Sequence, residues 1–341
     1  MDRQKQRDRR IDILRALSIL CIILAHSNPT NLLFNIRNFD VTMMIFLMGA
    51  SYYISQSNSS VNYFQYVIKR MKRLLIPTWI FLTVFFVLFF LLSLVYNHSF
   101  YFSARDILTS YMMTKGIGYV WIMRVFFIIS LFAPLIAYLS SKVKKNYVYF
   151  SLIFIAYVVY HVLMKFNLAM RPSVIQKITE YYVIECLGYS IVLAIGIRIF
   201  SIKKLDLIKF SFFFAILYVI LSVYYNFVPI QDFKYPPTIY YFSYGLFVSF
   251  ILFYLLSDSK IQKILFVKPI KFLSKHSLDI YYAHIFPVYF IQLYGDRSFI
   301  FDLHYSIRFI GILSFSIVIV RIQNKVRELI MQKKSTQIYL D

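Results

Sequence analysis

Two ionisable side chains lie in an apolar segment near the N-terminus, LRALSILCIILAHS at residues 14–27. Arg15 and His26 are 11 residues apart, which places them on nearly the same helix face and about 16 Å apart along the axis. Asp12 lies close to the same stripe. Ionisable groups in a membrane-spanning helix normally face the bundle interior or a watery cavity, because contact with lipid is costly. A neutral imidazole in such a cavity could act as a general base.

Each of these side chains also has a purely structural interpretation. Arg15 could anchor its helix at the membrane interface, with the aliphatic part of the side chain in the lipid. His26 could be a core histidine that hydrogen-bonds to a neighbouring helix. The residue types and their spacing leave both alternatives open.

A second group of basic residues precedes a long apolar run, in KRMKRLLIP at residues 69–77. Arg70 and Arg73 are helix neighbours at i and i+3, so they share one face. Guanidinium groups bind phosphate oxygens in pairs, and this pair together with Lys69 is therefore a candidate phosphate-binding site. The alternative is a juxtamembrane segment that fixes topology and contacts anionic lipid.

Three further residues are candidates for substrate binding. Trp121 is expected at the outer membrane interface, where tryptophan is common, and Arg124 lies one turn farther into the predicted helix. Glu185, in YYVIECLGY at residues 181–189, is an acid within an apolar span. It could pair with an arginine for structural reasons or bind a polar acceptor, and the sequence favours neither.

The segment KHSLDIYYAHIFPV at residues 275–288 adds two histidines. We expect His276 on the cytoplasmic side and His284 in a helix-packing contact, with Pro287 kinking the helix. The sequence has no H-E-x-x-H, C-x-x-C, P-loop or G-x-S-x-G motif. His26 and His284 alone do not make a metal site, so no metal is predicted.

Long apolar helices must position these residues. The chain has 341 residues, of which 60% are hydrophobic, and it contains uninterrupted apolar runs such as residues 74–96. Runs of about 20 apolar residues span a bilayer as helices, and their length excludes the alternating pattern of a β-barrel. The sequence thus predicts an all-α polytopic membrane protein with about ten spans. We place these at residues 13–28, 39–55, 74–96, 119–140, 146–164, 181–200, 206–228, 237–257, 277–294 and 304–323.

The distribution of basic residues predicts the orientation of the chain. The net charge is +22, and with the N-terminus inside, every cytoplasmic segment is rich in Lys and Arg. This pattern predicts an even number of spans and two cytoplasmic termini. It also explains the charge without nucleic acid as a partner. We predict a basic N-terminus at 1–12, one transmembrane domain at 13–323 and a cytoplasmic tail at 324–341.

Five segments, in order, resemble the acyltransferase-3 family of membrane enzymes that O-acetylate bacterial surface glycans. The similarity covers about residues 9–323, and its segments are RRIDILRALSILCIILAHS, YVIKRMKRLLIPTW, YVWIMRVFFIISLFAPLI, KYPPTIYYFSYGL and LSKHSLDIYYAHIFPV. The chain departs from the family in MIFLMGASYY, where Gly49 is kept but Met48 replaces a serine. A C-terminal hydrolase-like domain, present in some relatives, is not expected here.

The resemblance implies a donor, an acceptor and a location. Acetyl-CoA would enter from the cytoplasm. The protein would lie in the inner membrane of a bacterium, in contact with membrane lipids. Arg70, Arg73 and Lys69 would bind its phosphates. His26 would be the general base, with Arg15 and Asp12 beside it. A surface polysaccharide or lipid-linked glycan would be the acceptor.

The acceptor is expected near Arg124, Glu185 and Trp121, on the outer side. Two other classes of function remain open. A transporter or flippase would use the same buried charges for passage of a polar substrate. A scaffold in an envelope complex would need neither His26 nor Arg70.

Overall fold

The computed structural model describes residues 8–56, 62–295 and 303–338. Helices make up the regular structure of these residues, apart from an isolated β-bridge between Lys234 and Pro237. The α-helices are α1 Arg9–Ala25, α2 Asn31–Ile36, α3 Asp40–Gln56, α4 Tyr63–Val95, α5 Ala104–Tyr111, α6 Trp121–Lys142, α7 Asn146–Ala169, α8 Val174–Thr179, α9 Glu185–Arg198, α10 Lys204–Tyr224, α11 Ile239–Leu255, α12 Ser259–Leu265, α13 Lys268–Lys275, α14 Ser277–Ala283, α15 Ile285–Tyr294 and α16 Tyr305–Ile338.

Seven helical segments in the described residues are long and apolar enough to cross a membrane. The bent pair α11 and α12, with 101° between its halves, would be an eighth. The all-α membrane class is therefore confirmed. The predicted spans at 13–28 and 277–294 correspond to the shorter α1 and the interrupted pair α14 and α15. Ten spans and two cytoplasmic termini stay predictions.

The helices divide into a central group and a peripheral group. Most side chains of α3 and α9 are buried, whereas α7, α10 and α16 leave most of their apolar side chains exposed. Large exposed apolar faces on a folded chain indicate contact with a partner or a membrane. The peripheral helices therefore present their apolar faces to lipid.

Two glycines allow the central helices α3 and α9 to touch. A Cβ atom on Gly49 would lie 2.2 Å from the carbonyl oxygen of Leu193, and one on Gly196 would lie 2.0 Å from that of Phe46. Both obstacles are backbone atoms, which a rotamer change cannot move. Small residues at such crossings let helix backbones approach closely in membrane proteins. On another side α3 packs against α1, and residues of both helices line the site described below.

Two helices are interrupted close to polar residues. The predicted kink near Pro287 is a break at His284, between α14 and α15. Proline has no N–H to donate to the carbonyl four residues earlier, which weakens the helix at this point. In the other case a π-helical turn, Glu180–Ile184, leads directly into Glu185. Such turns are rare and often occur at functional sites.

Candidate functional site

A cavity of about 540 Å³ lies between α1, α3, α4, α6 and α14, under the loop at residues 225–238. It joins residues that are far apart in the chain. The charged and imidazole side chains in its wall are Arg15, His26, Arg37, Asp40, Arg70, Arg73 and Lys234. The two groups that the sequence singled out, in α1 and in α4, therefore line one space.

The cavity wall carries an excess of positive charge. Among the described residues it has five basic side chains and one carboxylate, that of Asp40. Arg37 already pairs with that carboxylate, Nη1 to Oδ2, at 3.0 Å. Arg70, Arg73 and Lys234 have no carboxylate partner in this part of the chain. Such a wall favours a ligand with several negative charges.

Arg70 and Arg73 lie on one face of α4 and line the cavity. The guanidinium of Arg70 lies over the ring of Tyr66, 4.8 Å from its centroid. The hydroxyl of Tyr66 in turn donates to the carbonyl oxygen of Ser130 at 2.7 Å, which fixes the ring. Lys69 is exposed and does not line the cavity. Arg70 and Arg73 are therefore positioned to bind an anion in the cavity, whereas Lys69, the third predicted cation, is not.

Arg15 lines the cavity on α1 and is held from two sides. It donates from Nη2 to Ser51 Oγ at 2.9 Å, and its Nη1 lies 3.6 Å from Oδ1 of Asp12. Asp12 is buried outside the cavity lining and accepts a hydrogen bond from Ser274 at 2.8 Å. Met48, which replaces the family's serine, does line the cavity. Ser51, three positions later, therefore supplies a hydroxyl on this wall of α3.

His26 follows the last residue of α1, and its ring is half-buried. The ring meets Tyr119 edge-on, with centroids 4.5 Å apart, and stacks on His284 at 5.4 Å. His284 is fully buried, and its Nδ1 contacts the carbonyl oxygen of Tyr281. Because a carbonyl can only accept, Nδ1 of His284 carries the proton. The break between α14 and α15 thus places a second imidazole behind the first.

A second cavity of about 300 Å³ also has His26 in its wall. Its polar wall comes from Ser27, Asn28, Gln292 and Arg308, in addition to His26 itself. Arg308 donates from Nη2 to the carbonyl oxygen of Asn28 at 3.4 Å, and its Nε has no partner among the described residues. The imidazole therefore belongs to the walls of both cavities.

Arg124 and Glu185 form a buried ion pair that lines neither cavity. Arg124 also donates to the carbonyl oxygen of Met113 at 2.6 Å, which ties the loop before α6 to α9. Of the three predicted acceptor residues, the structure brings only Trp121 to the cavity. The ion pair is the structural alternative that the sequence left open for Glu185.

Three charged residues of the cavity wall carried no prediction from the sequence: Arg37, Asp40 and Lys234. Lys234 lies in the loop between α10 and α11, as the first residue of the KYPPTIYYFSYGL segment that was noted only for its family resemblance. Burial lowers the pKa of its ammonium to about 8; Arg37 lowers it further and Asp40 opposes the shift. The available signal was a lysine in a loop predicted to face outward, where basic residues are scarce.

Comparisons with known proteins bear on the class of the whole chain. A family model described as an acyltransferase domain, acyltransferase-3, matches residues 8–321. No curated protein and no solved structure matches the chain. The match covers nearly the full length, including every residue of both cavities. The chain therefore belongs to the acyltransferase-3 family and is a membrane acyltransferase.

Proposed function

We propose that the protein transfers an acetyl group from acetyl-CoA to a hydroxyl of a cell-envelope glycan or its lipid-linked precursor. The enzyme would work in the cytoplasmic membrane of a bacterium. The observation that carries the proposal is that His26, Arg70 and Arg73 line one cavity. A base and two arginines that lack carboxylate partners among the described residues suit a donor with a phosphate-rich end and a reactive end.

The donor would bind along the first cavity. Arg70 and Arg73 lack carboxylate partners among the described residues and would bind phosphate oxygens of coenzyme A at the cytoplasmic end. Tyr66 holds Arg70 in place for this contact. Arg15 lines the same cavity and is held by its hydrogen bond to Ser51. The pantetheine arm would then carry the thioester toward His26.

The chemistry is an acyl transfer with His26 as general base. The imidazole takes the proton of the acceptor hydroxyl while the oxygen attacks the thioester carbonyl carbon, forming a C–O bond. The tetrahedral intermediate collapses, the C–S bond breaks, and the proton on His26 passes to the leaving sulfur. General base catalysis of this kind contributes about 10² to 10⁴ in rate. His284, stacked behind His26, would limit rotation of the ring.

The acceptor would approach through the second cavity. His26 lies in the walls of both spaces, so an acceptor hydroxyl and a thioester could reach the ring from different sides. Gln292 and Arg308 offer donors to sugar hydroxyls or to an anionic group there. Arg124 and Glu185 would serve the site indirectly, by holding α6 and its Trp121 in place.

A transporter would use the same two cavities without forming a covalent bond. Release of coenzyme A separates the two functions, since passage of a substrate leaves the thioester intact. Membranes that contain the protein and the cell's own lipid-linked glycans are given acetyl-CoA labelled in the acetyl group. We expect free coenzyme A and labelled glycan in equal amounts. Uptake of label without free coenzyme A would favour a transporter and contradict the proposal.

A further inference from the structure

The ammonium group of Lys234 is buried without a partner. The residue is 5% exposed, and its side chain has no hydrogen bond or ion pair among the described residues. Its Nζ lies over the rings of Trp121, Tyr235 and Tyr241, 5.8, 5.5 and 5.9 Å from their centroids. The backbone is fixed, since Lys234 N–H donates to the carbonyl oxygen of Gln231 at 3.3 Å.

This arrangement holds a cation in place but leaves it unsatisfied. Aromatic faces attract an ammonium, yet they do not accept its hydrogen bonds as water or a carboxylate does. Asp40, an acid that interacts electrostatically with Lys234, is already bonded to Arg37 at 3.0 Å. Arg37 is further held by the ring of Phe34, 4.0 Å below its guanidinium. Arg37 is therefore engaged, whereas the neighbouring ammonium of Lys234 can still bind an anion.

The ammonium of Lys234 shares its cavity with the proposed base. Lys234 and His26 line the same space and are close enough to interact electrostatically. Trp121, whose ring contacts both Lys234 and Tyr235, completes this part of the wall. A negative charge that develops beside His26 would thus meet a preorganised positive charge.

We propose that Lys234 donates a hydrogen bond to the oxyanion that forms on the acyl carbonyl during transfer. This inference rests on the proposed function. When the acceptor oxygen bonds to the carbonyl carbon, the π electrons move to the carbonyl oxygen, and the ammonium stabilises that charge while keeping its proton. When the carbonyl re-forms, the C–S bond breaks and sulfur leaves with the proton from His26. Lys234 is then a catalytic residue that contacts a reacting atom.

The test compares the neutral variant Lys234→Met with Lys234→Arg, which keeps the charge. Removal of one oxyanion donor lowers kcat by about 10² to 10³ in enzymes of known mechanism. We expect this loss in Lys234→Met, with the Kd for acetyl-CoA nearly unchanged, and we expect Lys234→Arg to regain much of the rate. Methionine is of similar length and fits among aromatic rings, and retained binding of acetyl-CoA shows that the variant is folded.

The outcomes separate this inference from the proposed function. Lys115, an exposed lysine of the loop before α6, gives the matched control Lys115→Met, which should behave as wild type. An unchanged kcat in Lys234→Met contradicts the inference while the acyltransferase stands. A change confined to KM or Kd shows that Lys234 binds an anionic substrate in its ground state, which also overturns the inference. If the wild type transfers no acetyl group, the proposed function fails as well.

Discussion

The imidazole rings of His26 and His284 stack with their centroids 5.4 Å apart and 26° between their planes. The first ring lies in the walls of two cavities, and the second is fully buried behind it. The break in the ninth predicted span brings His284 to this position. His284 therefore supports His26, the candidate base. Among the described residues, His26 is the one that lines both cavities.

Replacing Arg70 and Arg73 together by alanine should weaken binding of acetyl-CoA. Hydrogen bonds to charged groups contribute about 1.5–3 kcal/mol each, so we expect the Kd to rise about 10²-fold or more. Equilibrium binding of labelled acetyl-CoA at low and high salt measures this. The wild-type affinity should fall with salt more steeply than that of the variant.

The control for this pair is Lys72→Ala, because Lys72 lies on the same helix but is exposed and outside the cavity wall. Equal affinities in the wild type and the double variant would contradict the binding role. The two arginines would then fix topology, which was the other interpretation of their sequence.

The Arg124–Glu185 ion pair should act on stability more than on substrate affinity. Removing one partner of a buried pair leaves an uncompensated charge and costs about 3–5 kcal/mol. We expect Glu185→Gln and Arg124→Met each to lower the thermal midpoint, and the double variant to recover part of the loss. Thermal unfolding in detergent measures this. A raised KM for the acceptor at unchanged stability would instead support the direct role predicted from the sequence.

Adding a methyl group at the crossing of α3 and α9 should destabilise the fold. A Cβ at Gly49 or Gly196 would meet backbone carbonyl oxygens, so the helices must separate. Overpacking of this kind costs about 1–3 kcal/mol. Gly311→Ala is the control, because a Cβ at Gly311 meets no atom within 4 Å. If Gly49→Ala and Gly311→Ala unfold at the same temperature, the close contact between the two helices is wrong.

The rate of transfer should fall at alkaline pH as Lys234 loses its proton. Burial lowers the pKa of this ammonium to about 8, so the group is charged below that pH and neutral above it. The charged and titratable groups around it are Arg37, Asp40 and the hydroxyls of Tyr235 and Tyr241. We expect kcat to decline through about pH 8. In Lys234→Arg the decline should move to higher pH, because guanidinium keeps its proton.

His26 lines the same cavity and is titratable too, but the substitution at Lys234 leaves the imidazole of His26 in place. The difference between the two pH profiles therefore reports the ammonium alone. Identical profiles in the wild type and Lys234→Arg would show that another group controls the alkaline limb.

The sequence predicted the parts of the site that depend on helical periodicity. Arg15 with His26, and Arg70 with Arg73, each share a helix face by spacing alone, and all four residues line one cavity. Lys234 could not be predicted in this way. Its position depends on how a loop folds back over the bundle, which tertiary packing decides.

The same limit applies to Arg124 and Glu185. Both lie within apolar spans, so each could have faced a cavity, and only the contact between α6 and α9 pairs them. The interruption of the helix near His284 could be predicted from Pro287, but the stacking of His284 on His26 could not. These pairings depend on contacts between segments that are far apart in the chain, and no local sequence pattern predicts them.

The central claim is that His26 performs the proton transfer in the cavity that binds the donor. Single-turnover transfer from labelled acetyl-CoA, measured with donor binding in the same preparation, tests it most directly in His26→Ala. His161→Ala, on α7 and outside both cavities, is the control. We predict a loss of about 10² to 10⁴ in rate with donor affinity kept. A wild-type rate in His26→Ala would contradict the account.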